Sequence, residues 1–337
     1  MKPKKIIKNA LYLINRNSLS RFAYNHEITK RAKLPLTDIK ALAQDISMFS
    51  PFTSEIHPPN DWYGHAHFLK QYLGLPQNYK FKFIIEHGVY LTDQVSDAEL
   101  ETDFPTVLTS SEHRIKVYQK YDKKAFNIGP FIHYAPHFYS EEMIVSEKKR
   151  LGKNILVFPS HSLKDLVGKY DNRWFINNIK KISKGYNKIR FCLYWIDIQK
   201  GFHKFYQDLG FECVSAGHIL DPNFVPRLKS LIEISDLTVS NDASTHVGYC
   251  VYMNKPHIIF HKFPKLETTD KWRKLTLDFW SSKPYKETLG AFSVVNFKIT
   301  PKQRQVIRSY FGSKAEVKTK EEFNNLIKLT EKIYRQN

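Results

Sequence analysis

The chain has 337 residues, 42% of them hydrophobic and 14% aromatic, which is enough length for two domains and enough apolar surface for a firm core. That composition excludes a disordered chain, and no apolar run reaches the ~18 residues that a membrane-spanning helix needs. A net charge of +19 calls for a polyanionic partner, whereas three scattered cysteines (Cys192, Cys213 and Cys250) fit a reducing cytoplasm better than a disulfide framework.

The N-terminus carries much of that charge. Nine Lys or Arg fall within the first 33 residues against one acid, Glu27. Ile7, Leu11 and Ile14 recur at near-helical spacing beside Lys4, Lys5 and Lys8, the pattern of a helix lying on an anionic membrane surface. A merely solvated basic terminus has the same pattern. Nucleic acid is the weaker reading, because no zinc-finger spacing, RNP-like motif or helix-turn-helix signal accompanies the charge. No small-residue cleavage site follows, so the start does not read as a signal peptide.

In chain order, Thr37 to Met48 reads as a helix, and Asp61 is placed to cap a second that runs to Gly74. Lys80 to Glu86 reads as a strand leading straight into His87-Gly88, and the run from Phe104 as another. Past Ser140 strands and helices alternate. Helices are expected at Ser140–Leu151, Asn172–Lys184, Gln199–Leu209 and Pro222–Ile234, and strands at "KNILVF", "KIRFCLYWI", "FECVS" and "LTVS". Such alternation predicts right-handed crossovers and a parallel sheet covered on both faces. Two further helices, Pro301 to Phe311 and Thr319 to Tyr334, close the chain.

The stretch that organises this half is Asp236 to His261, a strand–helix–strand unit. Asn241 and Asp242 favour a turn, and the helix that follows opens on Ser244, Thr245 and His246 before Lys255-Pro256 stops it. A helix start offers unpaired N–H groups and a partial positive charge, so it suits phosphate; an ordinary N-cap has the same residues. Ligands of parallel sheets sit beyond the carboxyl ends of the strands. Three polar strand exits collect there: Ser160-His161-Ser162, Ser215 to His218 with Gly217, and Asn241 to His246. No GxGxxG, P-loop, CxxC, HExxH, GxSxG or D-x-D motif occurs, which leaves a metal-free phosphate site of N–H groups, hydroxyls and basic side chains.

The ordered blocks "YGHAHFLKQYLG", "IIEHGVY", "NIGPFIHYA", "LVFPSHS" and "SDLTVSNDASTHVGYCVYMNKP" resemble the GT-B-type glycosyltransferases of bacterial capsule, O-antigen and lipopolysaccharide biosynthesis, over residues 60 to 262. The resemblance implies an α/β fold of two Rossmann-like domains facing a cleft, an acceptor-side domain over 1–138, a donor domain over 139–295, and C-terminal helices over 296–337 packing back on the first. It implies a nucleotide-sugar donor, a glycan or lipid-linked glycan acceptor, no cofactor or metal, and a cytoplasmic enzyme peripheral to the inner membrane face. By position Ser244, Thr245 and His246 would hold the donor phosphates, with Ser160, His161, Ser162, Asn241 and Asp242 lining the same pocket. Gly217 and His218 would reach the nucleoside, and Glu86 or His87 would be the base of an inverting transfer. The ribose-binding E-x7-E pattern is missing, and His161 is followed by Ser instead of the Pro of bacterial sialyltransferases, so donor and stereochemistry stay open. A CDP-polyol phosphotransferase, a nucleotide-sugar epimerase, and a non-catalytic basic scaffold at the membrane are the alternatives.

Overall fold

The computed structural model describes residues 18–46, 55–162 and 166–336. The basic segment before Ser18, with its expected membrane helix, lies outside the described residues. Strands are numbered in chain order. β1 (Ile84–Ile85), β2 (Thr106–Thr109) and β3 (Lys124–Asn127) form a parallel three-stranded sheet in that order. The larger sheet takes β4 (Asn154–Phe158), β6 (Lys188–Cys192), β7 (Glu212–Val214), β8 (Leu237–Ser240) and β9 (His257–Ile259). Its order is β7-β6-β4-β8-β9, and every pair in it is parallel. β5 (Leu166–Lys169) and β10 (Lys265–Thr268) stand apart as an antiparallel ribbon.

The fold is therefore α/β, with parallel sheets flanked by helices and a helical C-terminus. β4 shows why the large sheet must be covered on both faces: all five of its residues are buried. Ile155 and Val157 face one apolar cluster with Phe175, Ile179 and Tyr206, whereas Leu156 and Phe158 face another with Leu228, Leu231 and Cys250. That second cluster continues without a break into Phe68, Phe83, Ile85 and Leu108 around the smaller sheet, and takes in Phe323 and Ile327 of the last helix, Lys320–Gln336. The two sheets share one core.

Several local expectations are corrected. Asp61 does not cap a helix: its carboxylate accepts from the Glu55 N–H at 3.0 Å. Pro58–Gly64 is a 3-10 stretch broken at Trp62 and Tyr63, and the helix His65–Leu73 starts from Gly64. The strand expected over Lys80–Glu86 is the two residues of β1, and the helix expected from Thr37 is Ile39–Ala43. The helix expected at Gln199–Leu209 is two short ones, Trp195–Gln199 and His203–Asp208, parted near Gly201 at φ 81°.

Gly64 fixes how the halves meet. It has φ 80°, and a Cβ there would stand 2.2 Å from the Pro222 carbonyl oxygen, backbone against backbone. Beside it Tyr63, also left-handed at φ 59°, donates its N–H to the Ile219 carbonyl at 2.7 Å. Gly64→Ala should lower stability by roughly 3 kcal/mol, from overpacking and left-handed strain together. Gly74→Ala, where φ is 71° but no atom lies within 4 Å, should cost about 1 kcal/mol from the conformation alone. Chemical denaturation of both variants checks this, and equal losses would mean that the Gly64–Pro222 contact does not matter.

Candidate functional site

In the order β7-β6-β4-β8-β9 the chain reverses direction of progress between β4 and β8. Connections from these neighbours leave to opposite sides, and the crevice outside their carboxyl ends is the ligand position of open α/β sheets. The segments emerging there are Pro159 to Ser162 and Asn241 to His246. Asn241 binds the two exits together: its side-chain oxygen accepts from the Ser160 N–H at 2.6 Å. The Ser162 N–H points at both oxygens of Asp197, at 3.1 and 3.4 Å.

The helix Thr245–Tyr252 begins at this crevice with Ser244 as N-cap, and the Ser244 side chain makes no cap hydrogen bond. Thr245 instead joins the halves, its hydroxyl oxygen accepting from the Val89 N–H at 2.9 Å. His246 stacks on Phe158 with ring centroids 4.7 Å apart and stands 5.4 Å from His257. Its Nε2 atom is buried without a hydrogen-bond partner, and burial, followed by nearby His161, depresses its pKa to about 3, so the ring is neutral. His161 is exposed and lies against Tyr194 at 4.2 Å.

Asp242 sits lower in the crevice. It accepts from the Tyr285 hydroxyl at 2.7 Å and from the Ala243 N–H at 2.8 Å, with His261 Nδ1 at 3.9 Å. Burial raises its pKa against these partners. His261 Nδ1 lies 3.1 Å from the Asn241 carbonyl, an acceptor only, so the neutral ring carries its proton there and leaves Nε2 bare. That Nε2 is buried without a partner as well. The crevice thus presents imidazole nitrogens, tyrosine hydroxyls and backbone N–H groups around the carboxylates of Asp242 and Asp197.

From the smaller sheet, the loop after β1 supplies His87. Its Nε2 is 2.7 Å from the Tyr90 hydroxyl, and its ring meets Trp62 edge-on at 4.7 Å. Burial first, then His57, lowers its pKa to about 4. Tyr63 reaches the Tyr194 hydroxyl at 3.3 Å across the same boundary.

Two expectations need revision. Glu86 is no base facing the cleft. It is fully buried, and it accepts from Thr109 and from Arg114 Nε, each at 2.6 Å, and from Tyr118 at 3.1 Å. The β7 exit does not line the crevice either, because β7 lies two strands from β4. Its polar groups are spent internally. Ser215 donates to the Leu193 carbonyl at 3.0 Å, Gly217 at φ 104° packs against Arg227, and His218 Nδ1 accepts from the Leu220 N–H at 3.2 Å. Residues with no assigned role in the sequence pattern complete the site: Asp197, Tyr194, Tyr285 and His261. His261 alone carried a signal, since it ends a parallel strand as the other exits do. Two surface hollows of about 280 and 430 Å³ lie elsewhere, at Thr92 to Gln94 with Asp278 and at Arg150 with Arg190, so neither volume measures this crevice.

No family model matches the chain, and no curated protein matches it. Among solved structures it is similar to the wall teichoic acid polymerase TagF, with a TM-score of 0.39 and 14% identity over 69% of this chain and 58% of that one. The H548A form of TagF gives 0.40 and 12% over 71% and 60%. UDP-GlcNAc 2-epimerase from Methanocaldococcus jannaschii gives 0.32 and 9% over 78% and 88%. The chain thus spans less than two thirds of the length of the polymerase chains.

Two measurements follow from the buried charges. Glu86→Gln should cost about 3–5 kcal/mol, because it leaves Arg114 buried and unpaired. A catalytic Glu86 would instead lose turnover at unchanged melting temperature. The second concerns His65, stacked on Phe131 at 4.9 Å, which burial holds at a pKa of about 3, and His257, which burial holds well below the ordinary value. With folded values depressed, the unfolded chain protonates first, so their contribution is whole above about pH 6.5 and is lost as the pH falls toward the folded values. His65 should cost about 2 kcal/mol by about pH 5, and His257 should add to the loss in the same direction. Denaturation midpoints at several pH values test this, and His65→Phe should flatten the slope; a midpoint flat over that interval refutes it.

Proposed function

We propose that this chain is a glycosyltransferase of the GT-B kind that moves a sugar from a nucleotide-sugar donor to a bacterial surface glycan of the capsule, O-antigen or lipopolysaccharide type, without a metal. The observation that carries the reading is the coincidence at one switch point of a helix start with no side-chain cap and the buried, unpartnered Nε2 of His246. Both are suited to the phosphates of the leaving nucleotide. The N–H groups of Ser244 and Thr245 would take up charge as the bond to the sugar breaks, and His246 would add a side-chain hydrogen bond.

His87 is the proposed base. It is neutral near pH 7, held by Tyr90, and packs with Trp62 and Tyr63. It would accept the proton of the acceptor hydroxyl as that oxygen attacks the anomeric carbon. Asp242 would hold the acceptor or the sugar through its carboxylate. A tether to the anionic inner membrane face through the basic N-terminus belongs to the same proposal. Among the described residues no helix is long and apolar enough to cross a membrane.

A thermal-shift panel of UDP, CMP, CDP, GDP and ADP tests the site. One of them should raise the melting temperature, with EDTA making no difference, and His246→Ala should remove that rise. In turnover His246→Ala should cost roughly 2.7–4 kcal/mol, if the nitrogen acts as other oxyanion donors do. A variant that melts many degrees lower yet turns over normally when folded would make His246 a packing residue. Product analysis separates sugar transfer from polyol-phosphate transfer and from epimerisation.

A further inference from the structure

The helix Asp270–Ser281 carries Trp272, Leu275, Leu277, Phe279 and Trp280, yet none of its residues is buried. Its inner side rests half-buried, with Phe279 4.7 Å from Tyr285 and Trp280 4.7 Å from Phe263. The outer side is unusual for a globular surface: Phe263 is 58% exposed and Leu277 52%. Arg273 and Leu277 fall on one exposed face by their spacing of four, half-buried Trp280 borders it, and exposed Lys274 adjoins them. From Lys262 to Lys286 there are seven Lys or Arg and three acids, of which Asp278 meets Gln94 at 3.4 Å. Lys262 and Lys271 are engaged by Asp171 and Asp97; Arg273, Lys274, Lys265 and Lys286 stand exposed.

The helix follows directly on the β5–β10 ribbon, in which β5 leads into Tyr170 and β10 follows His261, both of which lie beside Asp242. An apolar tip framed by cations suits the headgroup layer of a bilayer, where anionic lipid draws in the cations and the acyl boundary receives the aromatic and branched side chains. A symmetric contact with a second copy would set Arg273 and Lys274 against like charges. We propose that residues 262–286 form a bilayer-docking surface that holds the mouth of the crevice against anionic lipid. This inference stands whatever reaction the crevice runs, and it assigns to a folded element a role that the basic N-terminus alone does not fill.

The experiment uses the full chain and vesicles of phosphatidylcholine with or without phosphatidylglycerol. Binding should require phosphatidylglycerol and fall with salt. Arg273→Gln with Lys274→Gln should weaken it about thirtyfold at low salt, and Phe263→Ser with Leu277→Ser at least about tenfold. All four side chains are exposed, and only Phe263 gives up ring contacts, with Trp280 and His261, so melting temperatures should stay within a few degrees of the parent value. Acyl-chain-brominated lipid should quench tryptophan emission, and Trp272→Phe with Trp280→Phe should remove that quenching. Parent-like binding by both pairs of variants overturns the proposal, as does quenching that persists without Trp272 and Trp280. A concentration-dependent dimer abolished by Phe263→Ser with Leu277→Ser, with lipid binding intact, would assign the face to a second copy instead.

Discussion

The hydrogen bond from the Ser160 N–H to the Asn241 side chain is the contact on which the crevice depends. Parallel neighbours β4 and β8 are held together by their ladder only as far as Phe158 and Ser240. Beyond that point the two chains must diverge, because one crosses over each face of the sheet. The Asn241 carboxamide extends the pairing by one residue and then releases it. His161 and Asp242 are therefore delivered to the two walls of one space, and the helix Thr245–Tyr252 starts at its floor. An aspartate at 241 would also accept from Ser160, but it would add a second buried carboxylate beside Asp242.

Electrostatics of this interior are governed by desolvation more than by pairing. Ion pairs do occur where carboxylates are wholly buried: Glu86 with Arg114, Asp221 with Arg227, and Glu55 with Lys70. Each sets a cation directly against its carboxylate, which is the condition for keeping a charge out of water. The histidines behave differently. His65, His87, His218, His246 and His257 all have pKa values lowered by burial first, so they serve as neutral donors and acceptors. His257 shows the use of this, bridging the Thr238 and Ser240 hydroxyls at 2.8 and 3.0 Å through its two nitrogens.

Legibility in the sequence followed the range of the interactions. The alternating rhythm after Ser140, the β8–helix–β9 unit and the polar exits of β4 and β8 are local patterns, and all could be read. The β5–β10 ribbon pairs residues about a hundred positions apart and has no local signature. β3 could not be read either, since Lys124–Asn127 is a strand only because β2 offers it an edge. Glu86 misled because a carboxylate beside His-Gly at a strand end has the pattern of a base, and only burial against Arg114 reveals its role. The polar β7 exit misled for a topological reason. Sequence places it among the exits, whereas strand order sets it two strands away.

The buried nitrogens left without partners carry the argument from architecture to chemistry. A buried polar group that loses its hydrogen bond costs about 1–3 kcal/mol. His257 avoids that cost at both nitrogens, whereas His65 Nδ1, Gln303 Nε2 and Arg190 Nε are buried without partners elsewhere in the fold. His246 lies one ring away and His261 four residues on, and each leaves Nε2 unsatisfied. Both belong to the segment that frames the switch point, and Asp242, four residues before His246, carries a raised pKa. Two such nitrogens at one crevice are positions where a ligand can supply the missing partner. A phosphate oxygen set against the helix start can accept from a protonated His246 Nε2, whereas the bare Nε2 of His261 is itself an acceptor and calls for a donor such as a sugar hydroxyl.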